Sequence, residues 1–203
     1  MKVTVLGASG RVGSEIVKEL ARRGHQVKGV ARRPDRVPAE AGVTAVAGDV
    51  NQPATLAPAL VGADAVVSAV MFVDSDPVLL IRAIEDAGVP RYLVVGGAGS
   101  LEIAPGQRLV DTPDFPKAYK AEALAGGRFL NALRAEPELN WTFLSPSALF
   151  DGSERTGVFR LGDDALLTDA QGNSRISFPD YAIAMADEIE TPRHPRARFT
   201  VGY

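Results

Sequence analysis

The chain contains no cysteine, which excludes thiol catalysis, disulfides and cysteine-ligated metal together. Its two histidines, His25 and His194, are too few for a histidine cluster, so no metal site is expected. An excess of positive charge is also missing. The 22 basic and 25 acidic residues are interspersed and leave a net charge of −3, without the basic stripe that nucleic acid requires. The longest uncharged apolar stretch, near Ala65 to Val73, has the length of a strand and falls far short of a membrane span. The N-terminal apolar run meets glycines and Arg11 with no small-residue cleavage pattern, so it does not read as a secretion signal. No internal repeat or low-complexity tract appears. The expectation is a cytoplasmic protein with a small-molecule substrate and neither nucleic acid nor membrane as partner. At 203 residues, 46% of them hydrophobic, the chain can bury one substantial core and is expected to form a single domain over 1–203.

What is present is concentrated at the start. Val3-Thr4-Val5-Leu6 runs into Gly7-Ala8-Ser9-Gly10-Arg11-Val12-Gly13, and a helical pattern follows from Ser14 to Ala21, with Ile16, Val17 and Leu20 on one face and Gly24 as its stop. Glycines at this spacing let the chain turn sharply, admit a pyrophosphate close to the backbone, and pack the helix against the strand. The helix N-terminus then offers free N–H groups to phosphate oxygens. A glycine turn serving packing alone is the plainer alternative.

Farther on, apolar strands alternate with helices. Strands are predicted at Gln26–Ala31, Val43–Ala47, Ala65–Val70, Tyr92–Val95 and Trp141–Leu144, and helices at Pro53–Leu60, Pro77–Ala87 and Pro116–Arg134. Short uninterrupted apolar strands separated by helices predict an α/β fold, a doubly wound parallel sheet of Rossmann type. Gly126-Gly127 inside the longest helix lowers helix propensity for no reason the sequence discloses. After Ser145 the rhythm shortens, with strand-like pieces at Thr156–Leu161 and Ala165–Thr168 and a helix opened by Ser177 and Asp180 that runs to about Glu188. Residues 146–203 therefore read mostly as a small substrate-side lobe, facing the dinucleotide together with the loop Ser100–Phe115.

Where an NAD-selective second strand ends in an acid for the ribose hydroxyl, this chain has Arg32-Arg33 after Ala31. A permanently charged guanidinium suits a 2′-phosphate, so NADP is expected over NAD. Asp49 and Val50 end the third strand, placed for the adenine, though Asp49 could equally cap the next helix. Ser68-Ala69-Val70, Gly97 and Pro146 lie at later strand ends, where ribose and nicotinamide could rest against small residues or where turns simply need them. The expected cofactor-binding set is therefore Gly7, Ser9, Gly10, Arg11, Val12, Gly13, Arg32, Arg33, Asp49, Val50, Ser68, Ala69, Val70, Gly97 and Pro146.

The chain resembles the atypical short-chain dehydrogenase/reductases, in particular their small NADH-flavin reductase-like and biliverdin reductase B-like branch. The resemblance is carried by Gly7 to Gly13, Gly48-Asp49-Val50, Gly96-Gly97-Ala98-Gly99-Ser100, Trp141 to Pro146, Gly152 to Thr156, and Ile176-Ser177 with Asp180-Tyr181-Ala182. It implies an NAD(P)H-binding oxidoreductase, with reduction of free flavins a frequent activity. One feature departs from the wider group. The Tyr-x-x-x-Lys relay is missing: four residues after Tyr92, Tyr119 and Tyr181 stand Gly96, Ala123 and Met185, and Tyr203 is the last residue. Tyr119-Lys120 is adjacent rather than one turn apart, and no catalytic side chain is assigned. Flavins and quinones, as substrates rather than bound groups, need little acid help from the protein. The alternatives are a non-catalytic NADP(H)-binding regulator with a protein partner, and a nucleotide-sugar epimerase or dehydratase.

Overall fold

The structure, a computed structural model, describes residues 1–203. In chain order the elements are β1 (Lys2–Leu6), α1 (Arg11–Arg22), β2 (Gln26–Ala31), β3 (Val43–Ala47), α2 (Pro53–Leu60), β4 (Ala65–Ser68), α3 (Pro77–Asp86), β5 (Tyr92–Val95), β6 (Glu102–Ala104), β7 (Gln107–Arg108), α4 (Lys117–Arg134), β8 (Trp141–Ser145), β9 (Leu149–Asp151), β10 (Arg160–Gly162), β11 (Arg175–Ser177), α5 (Phe178–Glu190) and β12 (Ala197–Gly202). Eight strands form the main sheet in the order β10-β12-β8-β5-β4-β1-β2-β3. All neighbours run parallel except β10, which lies antiparallel to β12 at one edge. This is a Rossmann-type α/β fold.

The winding places the site. The chain moves outward from β1 to β2 and β3, then returns to β4 on the other side of β1, so Leu6 stands level with both Val30 and Ser68. A crevice opens beyond the strand ends at that reversal, where open α/β sheets bind ligands. Each face of the sheet carries a buried apolar layer. One, of 22 buried residues, joins Ile16, Val17 and Leu20 of α1 to Tyr181 and Met185 of α5. The other, also of 22, packs α2, α3 and α4 through Leu56, Leu80, Ile84 and Phe129 onto Trp141 and Phe143. No helix is long and apolar enough to cross a membrane.

Several predicted boundaries shift. Helix α1 begins at Arg11, not Ser14, because the Gly10 carbonyl already accepts the Ser14 N–H at 2.9 Å. The β2–β3 connection holds a single 3-10 turn, Pro34–Arg36. Val37 covers the sheet there, seated where a Cβ on Gly29 would come within 2.5 Å. Strand β4 stops at Ser68, and Ala69-Val70 turn away.

The largest differences lie after residue 145. The strand expected at 156–161 survives only as β10, and Ala165 makes no more than an isolated bridge to Glu102. Ala197–Gly202, given no role by the sequence reading, enters the main sheet between β8 and β10. Helix α5 and β12 therefore complete the core, and β9, β11 and the turns between them supply the cleft wall. Gly126 is accounted for, because a Cβ there would stand 3.0 Å from the Phe72 ring. Nothing in the structure explains Gly127.

Helices α1 and α5 are joined by charge as well as by apolar contact. Glu19, 5% exposed, accepts from Arg22 at 2.7 Å and Arg23 at 2.8 Å, while Arg23 also reaches Glu190 at 2.6 Å. Burial raises the Glu19 pKa, but the hydrogen bonds and charges of Arg22 and Arg23 outweigh it and hold the carboxyl at about 2. A depressed carboxyl contributes stability that is present above its unfolded value and lost as pH falls through its folded one. Chemical denaturation should therefore show unfolding free energy dropping more steeply between pH 4.5 and 2 in the wild type than in Glu19→Gln. At neutral pH the same substitution should lower stability by about 1–3 kcal/mol.

Candidate functional site

The glycine turn does its work by close approach. Gly7 has φ +80°, a conformation L side chains rarely adopt, and a Cβ there would lie 2.3 Å from the Ala69 carbonyl oxygen. A Cβ on Gly13 would lie 2.2 Å from the Gly7 oxygen. These two glycines are demanded by the fold itself. Gly10 differs, since its Cβ would meet only the Gly7 oxygen at 3.2 Å and the Ala69 oxygen at 4.0 Å, and its remaining side is open. No side chain caps α1 and its first turn holds no acid, so the N–H groups of Arg11, Val12 and Gly13 precede the first intrahelical bond. Open space beside Gly10 and uncapped N–H groups fit a phosphate anion.

Around this turn lies a cleft of about 220 Å³, lined by Gly7, Ser9, Gly10, Arg32, Asp49 and Val50, and across from them by Ala69 and Val70. Arg32 is exposed and has no carboxylate or hydrogen-bond partner, whereas Arg33, equally exposed, stands outside the lining. Asp49 does not cap α2, whose N-cap is Gln52. Its Oδ1 instead accepts the Asn51 N–H at 3.0 Å in a local turn. Ser68 is 2% exposed and lines neither this cleft nor the next.

A second cleft of about 1080 Å³ lies beyond the ends of β5 and β8 and contains Gly97 and Pro146. The nearest atom to a Cβ on Gly97 would be Phe72 Cε2 at 3.9 Å, so Gly97, like Gly10, presents bare backbone to open space. Phe72, Phe115, Tyr119, Leu149 and Phe150 give this cleft apolar and aromatic walls. Tyr203, which also lines this cleft, is held by Asp180, fully buried at the start of α5. That carboxylate accepts the Thr156 N–H at 3.0 Å, the Thr156 hydroxyl at 2.6 Å, the Gly157 N–H at 2.8 Å and the Tyr203 hydroxyl at 2.7 Å. Burial raises its pKa, but these bonds outweigh it and hold the acid below its ordinary range.

The tyrosines confirm the missing relay. Tyr92 and Tyr181 are fully buried, which pushes both phenols up, and Tyr181 donates to the Leu144 oxygen at 2.6 Å. Tyr203 is committed to Asp180. Tyr119 stands 68% exposed at the cleft mouth, and the residue one helical turn on is Ala123. Sequence reasoning missed Glu122, Phe72 and Asn51, which also line these clefts. A glutamate on an amphipathic helix, an apolar residue in a turn and an asparagine in a loop carry no signal of their own.

A profile of NAD(P)H-binding proteins matches residues 7–192. The uncharacterized protein YwnB of Bacillus subtilis strain 168 is 42% identical over an alignment of 211 positions, covering 99% of this chain and 98% of that one. A solved structure from Bacteroides thetaiotaomicron, described as a candidate epimerase, is 42% identical with a TM-score of 0.94 and covers 100% of this chain and 96% of the other. One from Streptococcus pneumoniae TIGR4, described as a candidate NADH-flavin reductase, is 36% identical with a TM-score of 0.86 and covers 100% and 99%. With a phosphate-ready glycine turn at the reversal of the sheet and this match along nearly the whole chain, the protein belongs to the NAD(P)H-binding family.

Proposed function

We propose that the protein reduces a planar, electron-poor acceptor, a free flavin or a quinone, at the expense of NADPH. The observation that carries this reading is a large aromatic-walled cleft beside the dinucleotide cleft, with no tyrosine activated by a lysine. The bound nicotinamide supplies a hydride, two electrons and a proton in one transfer. Gly10 and the start of α1 would hold the pyrophosphate, Arg32 the 2′-phosphate, and the bare backbone at Gly97 would leave room for the nicotinamide end. Phe72, Phe115 and Phe150 would orient the acceptor by stacking, so that placement rather than acid catalysis lowers the barrier. The balancing proton then comes from water at the open mouth where Tyr119 stands. The streptococcal relative supports this acceptor class. Epimerisation by a tyrosine base is disfavoured, since each phenol is buried, bonded elsewhere or without its lysine.

NADPH should bind about ten- to a hundred-fold more tightly than NADH, the worth of a charge-assisted contact. Arg32→Asp should narrow or reverse that preference in equilibrium titrations, and equal affinities in the wild type would overturn the assignment. Gly10→Val should abolish NADPH binding while circular dichroism shows the fold retained, because its side chain fills the space left for phosphate. Purified protein offered FMN, FAD, a quinone and dichlorophenolindophenol in turn should oxidise NADPH with at least one of them. Tight NADPH binding without turnover would instead identify a sensor of the NADP(H) pool. Tyr119→Phe should stay within a few-fold of wild type in turnover, whereas a positioned general acid is worth about 10²–10⁴. A hundred-fold loss with unchanged NADPH affinity would make Tyr119 the proton donor and point to a carbonyl substrate.

A further inference from the structure

One short segment, Val70–Asp74, forms a wall common to both clefts. Val70, Met71 and Asp74 line the dinucleotide cleft, and Phe72 lines the larger one. The segment tightens into a single 3-10 turn at Phe72–Asp74 without any side-chain cap from its own N-cap residue. The carboxylate of Glu122, 50 residues onward in α4, supplies the missing acceptors. Its Oε1 accepts the Phe72 N–H at 2.7 Å and its Oε2 accepts the Val73 N–H at 2.9 Å. One helical turn along the same face, Gly126 lets the Phe72 ring settle against the helix, where it also meets Phe129 at 5.2 Å and Phe143 at 6.0 Å. At the segment's far end Asn51 Nδ2 donates to the Asp74 oxygen at 2.6 Å from the dinucleotide side.

A glutamate on an exposed helix face ordinarily faces water. Here both carboxylate oxygens are engaged by successive N–H groups of a distant turn, which requires two acceptors side by side. Glutamine offers one acceptor and turns its amide N–H₂ toward the other N–H, and aspartate is one methylene too short to span the same gap. We propose that Glu122 is a positioning residue for hydride transfer, which holds the shared wall, sets the spacing between the two clefts, and couples occupancy of one to affinity for the other. The inference rests on the reductase reading. Because Val70, Met71 and Asp74 of the same segment line the dinucleotide cleft, loosening the wall weakens NADPH binding even with no acceptor present.

The test uses the full chain and measures NADPH dissociation constants by nicotinamide fluorescence without acceptor, then KM and kcat with the best acceptor. Glu122→Gln should raise the NADPH dissociation constant about ten-fold, the effect of losing one charge-assisted bond and facing two donors together. Acceptor KM should rise and kcat should fall as well. Gly126→Ala presses the Phe72 ring from beneath, so it should weaken NADPH binding in the same direction, with the gain in helix propensity offsetting part of the crowding. Glu188→Gln is the control for a purely structural effect. It removes a buried acid bonded to Arg91 and His194 that lines neither cleft, and should lower the melting temperature with NADPH affinity unchanged. NADPH affinity and acceptor KM within two-fold of wild type in both Glu122→Gln and Gly126→Ala would overturn the positioning role. Failure of the wild type to bind NADPH would overturn the reductase reading, and the proposal with it.

Discussion

Backbone meets backbone at Gly7, and the arrangement of the rest follows from how tightly. With no Cβ at Gly7 or Gly13, the end of β1, the start of α1 and the turn after β4 stack closer than any side chain would permit. That contact aims the helix N-terminus into the reversal of the sheet and sends the chain after Ala69 into the narrow wall between the two clefts. A single methyl group at either glycine would push apart three elements. The smaller cleft is thus a by-product of packing at Gly7 and Gly13, and of the three glycines Gly10 alone leaves open space beside it.

The parts of the fold legible in the sequence were those settled by local chemistry. The run Val3–Leu6, the glycine turn, the helix stop at Gly24, and the cap at Ser177 each depend on residues within a few positions of one another. What escaped depended on partners far away in the chain. Ala197-Arg198-Phe199-Thr200-Val201 alternates as a strand does, yet only the parallel edge that β8 offers settles where it goes. That Val37 of the β2–β3 connection packs over Gly29 is likewise settled only by the fold.

The site was legible in the same uneven way. Its phosphate end is written in glycines and an arginine that stand together in sequence, and the structure gathers Gly7, Ser9, Gly10, Arg32, Asp49 and Val50 around one cleft. Ser68 was drawn in by its place at a strand end, but alternation along β4 turns its side chain into the interior. The larger cleft could not be read in detail, because Phe72, Glu122 and Phe150 come from three separate stretches and only tertiary packing brings them to one cavity. Gly126 is intelligible only once Phe72 is known to lie against it.

The bonds that converge on Asp180 have an entropic consequence. The segment Gly152 to Gly157 is small and polar, with little apolar surface of its own to hold it, and ordering such a segment costs conformational entropy. Because one buried carboxylate already holds Thr156, Gly157 and Tyr203, that freedom was given up when the chain folded. Tyr203, which lines the larger cleft, is thereby fixed in place before any ligand reaches it.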